Sequence, residues 1–144
     1  MAAIDDVDEL IEQYHLALGE FMKGDPEPAK RLWSHRDDVS LANPQGSAAR
    51  GWDKVAEAME RAASTRRDGK FVGFENVAKR VTAELAYVVE VERLEAKVHG
   101  GEDVSPYTLR VTMIFRPEDG AWKVLHRHAD QITTTQPAES VLQK

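Results

Sequence analysis

Three side chains capable of proton or metal chemistry recur at spacing two near the end of the chain. They are His126, His128 and Asp130, within Ala121-Trp122-Lys123-Val124-Leu125-His126-Arg127-His128-Ala129-Asp130-Gln131-Ile132. The run has the composition of a strand. Alternation puts these three on one face and Leu125, Arg127, Ala129 and Gln131 on the other. A His-x-His pair with a carboxylate can present ligands to a metal ion. An arginine among apolar neighbours is a clamp for a carboxylate or similar anion. Which face looks inward decides between the two chemistries.

The preceding hairpin sets that register. Glu118-Asp119-Gly120, between Pro117 and Ala121, suits a three-residue loop with Gly120 left-handed. Such a loop pairs Ile114 with Val124, Thr112 with His126 and Arg110 with His128 on one face. On the other it pairs Met113 with Leu125 and Val111 with Arg127. Tyr107, Leu109, Val111, Met113 and Phe115 form an unbroken apolar row, expected to face the helices. Arg127 then points inward, near Val111, Met113, Tyr14 and Trp33. A two-residue Asp119-Gly120 loop would slip the register by one and invert the faces.

Buried arginines are rare unless paired, so Arg127 either holds a ligand, meets Glu75 or Glu90, or lies at the sheet edge. For the histidines no third strong metal ligand stands at suitable spacing. They are expected on a dimer face that also carries Trp122 and Val124, and no metal is expected. Asn43, before Pro44, either orients a ligand carbonyl or makes a turn. Tyr14, Trp33 and Met59 read first as core residues. His15 and His99 carry no chemical signal, and His35 and Arg36 read as solvated.

The elements that must position these residues divide the chain in two. Asp5 or Asp6 caps a first helix with an apolar stripe of Val7, Leu10, Ile11, Tyr14, Leu18, Phe21 and Met22. Gly24 ends it, and Asp25-Pro26 opens a short second helix carrying Ala29, Leu32 and Trp33. A short strand covers Asp38 to Ala42, closed by the turn Asn43-Pro44-Gln45-Gly46. A third helix begins near Gly51-Trp52-Asp53 and ends at Arg66-Arg67-Asp68-Gly69. Strands follow: Phe71 to Val81, Glu84 to Val98, Tyr107 to Arg116 and Trp122 to Ile132. The second of these, at about 3.3 Å per residue, would span about 50 Å, too long for a globule with a radius of gyration of about 14–15 Å. Its apolar residues are odd-numbered up to Val91 and even-numbered from Leu94, which predicts a β-bulge at Glu92-Arg93. Helices first and a bent antiparallel sheet second make an α+β domain.

Composition sets the outer bounds. A chain of 144 residues, 42% hydrophobic and 31% charged, has the make-up of one ordinary globular domain. A net charge of -6 argues against nucleic acid or an anionic membrane as the main partner. The chain has no cysteine, which removes disulfides, thiol catalysis and thiolate metal sites and fits a cytoplasmic location. No apolar run reaches the roughly 20 residues of a membrane span. The start, Met1-Ala2-Ala3-Ile4-Asp5-Asp6, is acidic where a signal peptide is basic. The segment from Thr133 to Lys144 reads as a polar tail, leaving residues 1–132 as the domain.

Leu32-Trp33 ahead of Asp37-Asp38-Val39, Asn43-Pro44-Gln45-Gly46, Arg50-Gly51-Trp52 and the Trp122 to His128 strand together resemble the nuclear transport factor 2-like superfamily. The resemblance is closest to its SnoaL-like and ketosteroid isomerase-like group and spans about Ile4 to Ile132. The last strand also resembles the association domain of calcium/calmodulin-dependent kinase II. The resemblance implies a cone, with helices wrapped over a curved sheet, a pocket between them, and a homodimer packed sheet on sheet. It places Arg127, Tyr14, Trp33, Asn43, Met59, Val111 and Met113 as candidate ligand-binding residues for a small, partly apolar or anionic molecule. No cofactor is expected. Ketosteroid isomerase keeps a carboxylate base just before the proline of the turn; here that place is held by Asn43. Its oxyanion acid falls near Val111 and its first-helix tyrosine near Ala17, so the base and oxyanion donor of that reaction are missing. Two functions stay open: a cofactor-independent isomerase, cyclase or hydrolase, for which Asp130 would have to turn inward as base, or a non-catalytic dimerisation or ligand-sensing module.

Overall fold

In a computed structural model, which describes residues 5–142, the helices cover one face of a single six-stranded sheet. Met1–Ile4 and the last two residues of the expected tail lie outside the described residues. The elements run α1 (Val7–Phe21), α2 (Glu27–Leu32), β1 (Ser40–Ala42), β2 (Ala49–Arg50), α3 (Trp52–Ser64), β3 (Arg66–Val81), β4 (Ala86–Val98), β5 (Ser105–Glu118) and β6 (Ala121–Asp130), with a short 3₁₀ turn at Ala138–Val141. The sheet order is β2-β1-β6-β5-β4-β3. All pairings are antiparallel except β1 with β6, which run parallel. The α+β class is as expected, with helices on a long, bent sheet. No helix among the described residues is long and apolar enough to cross a membrane.

Asp6 caps α1, accepting from the backbone N–H groups of Asp8 and Glu9 at 2.7 and 3.2 Å. This satisfies two of the donors that a helix start leaves without partners. The apolar stripe then buries Val7, Leu10, Tyr14, Ala17 and Leu18, and His15 is buried with them. Trp33, Phe115, Leu94 and Val111 are among the fully buried side chains of the core between helices and sheet.

Three expectations about the strands need correction. First, β4 has no bulge at Glu92-Arg93: it pairs with β5 in unbroken register from Ala86 to Ala96. The irregularities fall at three places along β3, between Arg67 and Lys70, Phe71 and Gly73, and Asn76 and Ala78. The inward face of β4 is even-numbered throughout: Ala86, Val88, Glu90, Glu92, Leu94 and Ala96 are all buried. The apolar odd-numbered residues form the other face. The apparent change of phase came from two glutamates buried where apolar residues were assumed.

Second, the β5–β6 hairpin pairs Glu118 with Ala121, so its loop is the two-residue Asp119-Gly120. Both residues have positive φ, 52° and 84°, which marks a type I′ turn. That loop alone would invert the faces of β6. A bulge then reverses the inversion, because Phe115 pairs with Val124 while Ile114 pairs with His126, leaving Leu125 extra. Arg127 therefore faces inward, opposite Met113 rather than Val111.

Third, the four residues grouped as one dimer face divide. Val124 is fully buried opposite Phe115, while His126 and His128 lie on the outer side opposite Ile114 and Thr112. Trp122, opposite Pro117, packs against the core. The segment Arg66-Arg67-Asp68-Gly69 is also not a helix end but the start of β3.

Candidate functional site

Four ionisable side chains, His15, Glu90, Glu92 and Arg127, form a buried chain, and the cavity beside it has no acid among its described lining residues. Arg127 is 6% exposed. Its Nη1 donates to Glu92 Oε2 at 2.9 Å and its Nη2 to Glu92 Oε1 at 2.7 Å. Nη1 also lies 3.4 Å from Met113 Sδ, and the guanidinium stands 5.4 Å from the centre of the Tyr14 ring. The partner is thus Glu92, not Glu75 or Glu90. Burial pulls the guanidinium towards neutrality, but the Glu92 charge and hydrogen bonds outweigh it and raise its pKa. Burial likewise pushes Glu92 up, and the Arg127 charge and bonds outweigh this to hold it below the usual carboxylate range. The two-bond geometry is what makes such a buried pair tolerable.

One step along β4, Glu90 meets His15, whose Nε2 lies 2.7 Å from Glu90 Oε1. The other carboxyl oxygen, Oε2, is buried without a partner among the described residues. Burial is the main cause of a raised Glu90 pKa, opposed by His15 and reinforced by Glu92. His15 stacks on Phe71 at 4.6 Å and tilts against Phe74 at 4.2 Å. His15, Glu90 and Glu92 offer ligand atoms within 4.8 Å of one another, close enough to hold a metal ion. A cation there would share Glu92 with Arg127, whose guanidinium already neutralises that carboxylate. Sequence reasoning named Glu90 only as a possible partner of Arg127 and gave Glu92 and His15 no role in a site. The glutamates alternating with Val89 and Val91 were the available signal.

Tyr14, Asn43, Met59 and Arg127 line a cavity of about 70 Å³, together with Leu18, Leu41, Leu94, Arg66, Tyr107 and others. Trp33, Val111 and Met113 do not reach it. Trp33 is buried behind Tyr14 and donates from Nε1 to the Tyr14 hydroxyl at 3.1 Å. Burial is the main cause of a raised Tyr14 pKa, so the phenol stays protonated at neutral pH. Asn43 Oδ1 accepts from the Gln45 backbone at 3.2 Å, which is turn chemistry, while its side chain still borders the cavity. No carboxylate or imidazole occurs among the described lining residues.

A second arginine, overlooked in the sequence, completes this lining. Arg66 is 9% exposed. It donates from Nε to the Tyr107 hydroxyl at 3.2 Å, from Nη1 to Thr65 Oγ1 at 2.5 Å and from Nη2 to Gln45 Oε1 at 3.2 Å. The Tyr107 hydroxyl in turn donates to Met22 Sδ at 2.8 Å.

The C-terminal histidines stand apart from the cavity. His126 Nδ1 lies 2.8 Å from Ser40 Oγ, and burial and then the neighbouring His128 lower its pKa. Asp130 accepts two bonds from Arg110, at 3.0 and 2.7 Å, so it does not turn inward as a base. His35, exposed, stacks on Trp52 at 4.0 Å.

A family model described as a SnoaL-like domain matches residues 7–133. No curated protein matches the chain. Among solved structures, the fold is similar to a nuclear transport factor 2-like superfamily protein from Salmonella enterica serovar Typhimurium, at 19% identity and a TM-score of 0.76, covering 92% of this chain and 93% of that one. It is also similar to a candidate dehydratase of the NTF2-like family from Streptomyces avermitilis, at 21% identity and a TM-score of 0.74, covering 91% and 96%. A ketosteroid isomerase-like protein from Erwinia carotovora atroseptica matches at 20% identity and a TM-score of 0.71, covering 89% and 95%. At these identities the likeness establishes the fold alone.

Proposed function

The chain belongs to the SnoaL-like domain family, and we propose that within that fold it is a binding module that takes up a small, partly apolar molecule between helices and sheet. The observation that carries this reading is the cavity lining. Leucines, methionines, Phe21, Pro44 and alanines make most of the wall, Tyr14, Asn43, Gln45 and Tyr107 add polar points, and the charged groups are two arginines. That is the make-up of a small-molecule site. Proton abstraction needs a base within hydrogen-bond reach of the substrate, and no lining side chain accepts a proton at neutral pH. This favours ligand sensing or storage over an isomerase, cyclase or hydrolase.

The test is a thermal-shift screen of the purified protein against carboxylates, amides and alcohols of a few carbons. A ligand at about 100 times its Kd adds about 2.7 kcal/mol of stability. The expected result is a stabilising compound recovered chemically unchanged by mass spectrometry. Conversion of that compound would overturn the non-catalytic reading.

We also propose a homodimer through the outer sheet face, where Tyr87, Ile114 and His126 form one cross-strand row and Val89, Thr112 and His128 the next. Such an interface should bury more than about 1,000 Å². Sedimentation of the wild type as a dimer, and of Ile114→Glu as a monomer, is the expected outcome. A monomeric wild type at micromolar concentration would refute it.

A further inference from the structure

We propose that the cavity's ligand is a short-chain monocarboxylate whose carboxylate seats on Arg66 rather than on Arg127. The inference rests on the reading of the cavity as a ligand site. Two arginines border that cavity, and they differ in what remains to be satisfied. Both terminal nitrogens of Arg127 are bound to Glu92, so the pair presents no net charge to a ligand. The partners of Arg66 are the neutral oxygens of Tyr107, Thr65 and Gln45 and the Tyr107 ring, whose centre lies 5.5 Å from the guanidinium. No carboxylate lies within ion-pair distance of it among the described residues. A guanidinium carries five N–H donors. Three are used here, which leaves one on each of Nη1 and Nη2.

A buried cation without a counter-charge is costly, and a planar acceptor with two oxygens is the group that a guanidinium fork fits best. The remaining wall sets the rest of the molecule. Leu18, Leu41, Met59 and Leu94 offer an apolar surface with no second free cation, which suits one negative charge on a hydrocarbon chain rather than a phosphate dianion. The cavity of about 70 Å³ is roughly half the ~150 Å³ that admits benzene. It therefore has room for a chain of only a few carbons.

The probe is butyrate, with butyramide as its neutral isostere, titrated calorimetrically into the full chain at pH 7. Wild type is expected to bind butyrate at least about tenfold more tightly than butyramide. Arg66→Gln should abolish that preference, and Arg66→Lys should retain part of it. In the wild type, the Arg66 side-chain Nε–H resonance should move on adding butyrate while that of Arg127 stays. Equal affinity for acid and amide would overturn the carboxylate assignment while leaving the cavity reading intact. Binding of neither probe, with no hit in the wider thermal-shift screen, would remove the cavity reading and the inference with it. A preference that survives in folded Arg66→Gln would overturn the role of Arg66. Should Arg66→Gln not fold, the wild-type resonances decide: movement of Arg66 supports the assignment, and movement of Arg127 alone overturns it.

Discussion

Arg127 and Arg66 border the same cavity, yet one is closed and the other open. Arg127 belongs to a run of buried ionisable groups, His15, Glu90, Glu92 and Arg127, that crosses the core on α1, β4 and β6. Each charge there faces an opposite charge or a proton-sharing partner. Arg66 sits at the start of β3 among neutral acceptors. A matched buried pair holds its neighbours in one arrangement and has little left for a ligand. A buried cation with neutral partners costs stability in the empty protein and gains when an anion arrives. The difference separates a structural charge from one kept available for binding, the usual tension between stability and function.

The largest expected effect breaks the closed centre. Glu92→Gln leaves Arg127 buried without its counter-charge and should cost about 3–5 kcal/mol. Arg127→Met should be comparably severe, since it strands Glu92. The double variant Arg127→Met/Glu92→Leu removes both charges and should recover to near wild-type stability or exceed it, as replaced buried pairs often do. Urea unfolding of wild type, Arg127→Met, Glu92→Leu and the double variant closes the cycle. If the double variant is as unstable as the sum of the singles, Glu92 and Arg127 are not acting as a pair.

The next effect falls on the backbone that holds the open centre. Arg67 pairs with Lys97 and Lys70 with Glu95, so Asp68 and Gly69 together oppose Ala96. A Cβ on Gly69 would lie 2.1 Å from the Glu95 carbonyl oxygen and 2.7 Å from Ala96 Cβ. Gly69→Ala should therefore push the start of β3 away from β4 and cost about 1–3 kcal/mol. It should also shift Arg66 relative to Tyr107. An unchanged unfolding midpoint would show that β3 does not approach β4 this closely in solution.

This contrast was only half legible in the sequence. The apolar row on β5 announces an inward face, and an arginine opposite it stands out, so Arg127 was found. It was found through two offsets that cancel. Glu118-Asp119-Gly120 reads as a three-residue loop although the turn is the two-residue Asp119-Gly120, and Leu125 looks like any other apolar strand residue although it is the bulge. Glu90 and Glu92 were hidden because a pattern reading takes the buried face of a strand to be apolar, and their partners come from α1 and β6. Arg66 looked like a basic helix terminus. It stands next to a bulge in which Asp68 has a positive φ of 55° and Gly69 lies against Glu95 and Ala96, which a periodicity cannot show.

A pH titration of stability sharpens the comparison, because the closed centre alone carries acids. Glu90 is raised in the folded state, mainly by burial. The folded protein therefore holds a proton that the unfolded chain has lost, and stability falls as pH rises from the ordinary carboxylate value of about 4.3 through the raised one. Glu92 is lowered, Arg127 outweighing burial, so its contribution is present above about 4.3 and is lost as pH falls through the folded value. One carboxyl changes stability by no more than about 1.4 kcal/mol per pH unit. Glu90→Gln should flatten the descending limb, and the Arg127→Met/Glu92→Leu protein should have a shallower acid limb, the rest of which comes from carboxylates such as Asp38 and Asp130, held low by hydrogen bonds from Arg116 and Arg110. Identical profiles for wild type and Glu90→Gln would mean that Glu90 is not held neutral by its site.

The smallest effect belongs to Arg66 itself. Its hydrogen bonds go to neutral oxygens, each contributing on the order of 1 kcal/mol net, and the cost of keeping an uncompensated cation nine-tenths buried opposes them. The two contributions are of similar size and opposite sign. Arg66→Gln, which keeps a donor within reach of Tyr107 and Thr65, should therefore change the unfolding free energy by no more than about 1 kcal/mol. Glu92→Gln, the same kind of charge-to-amide change in the other centre, should cost several times that. The comparison is made in urea without added carboxylate, so that no ligand stabilises the wild type alone. A loss for Arg66→Gln as large as that for Glu92→Gln would show that Arg66 is a structural keystone of β3, and the distinction between a closed and an open centre would collapse.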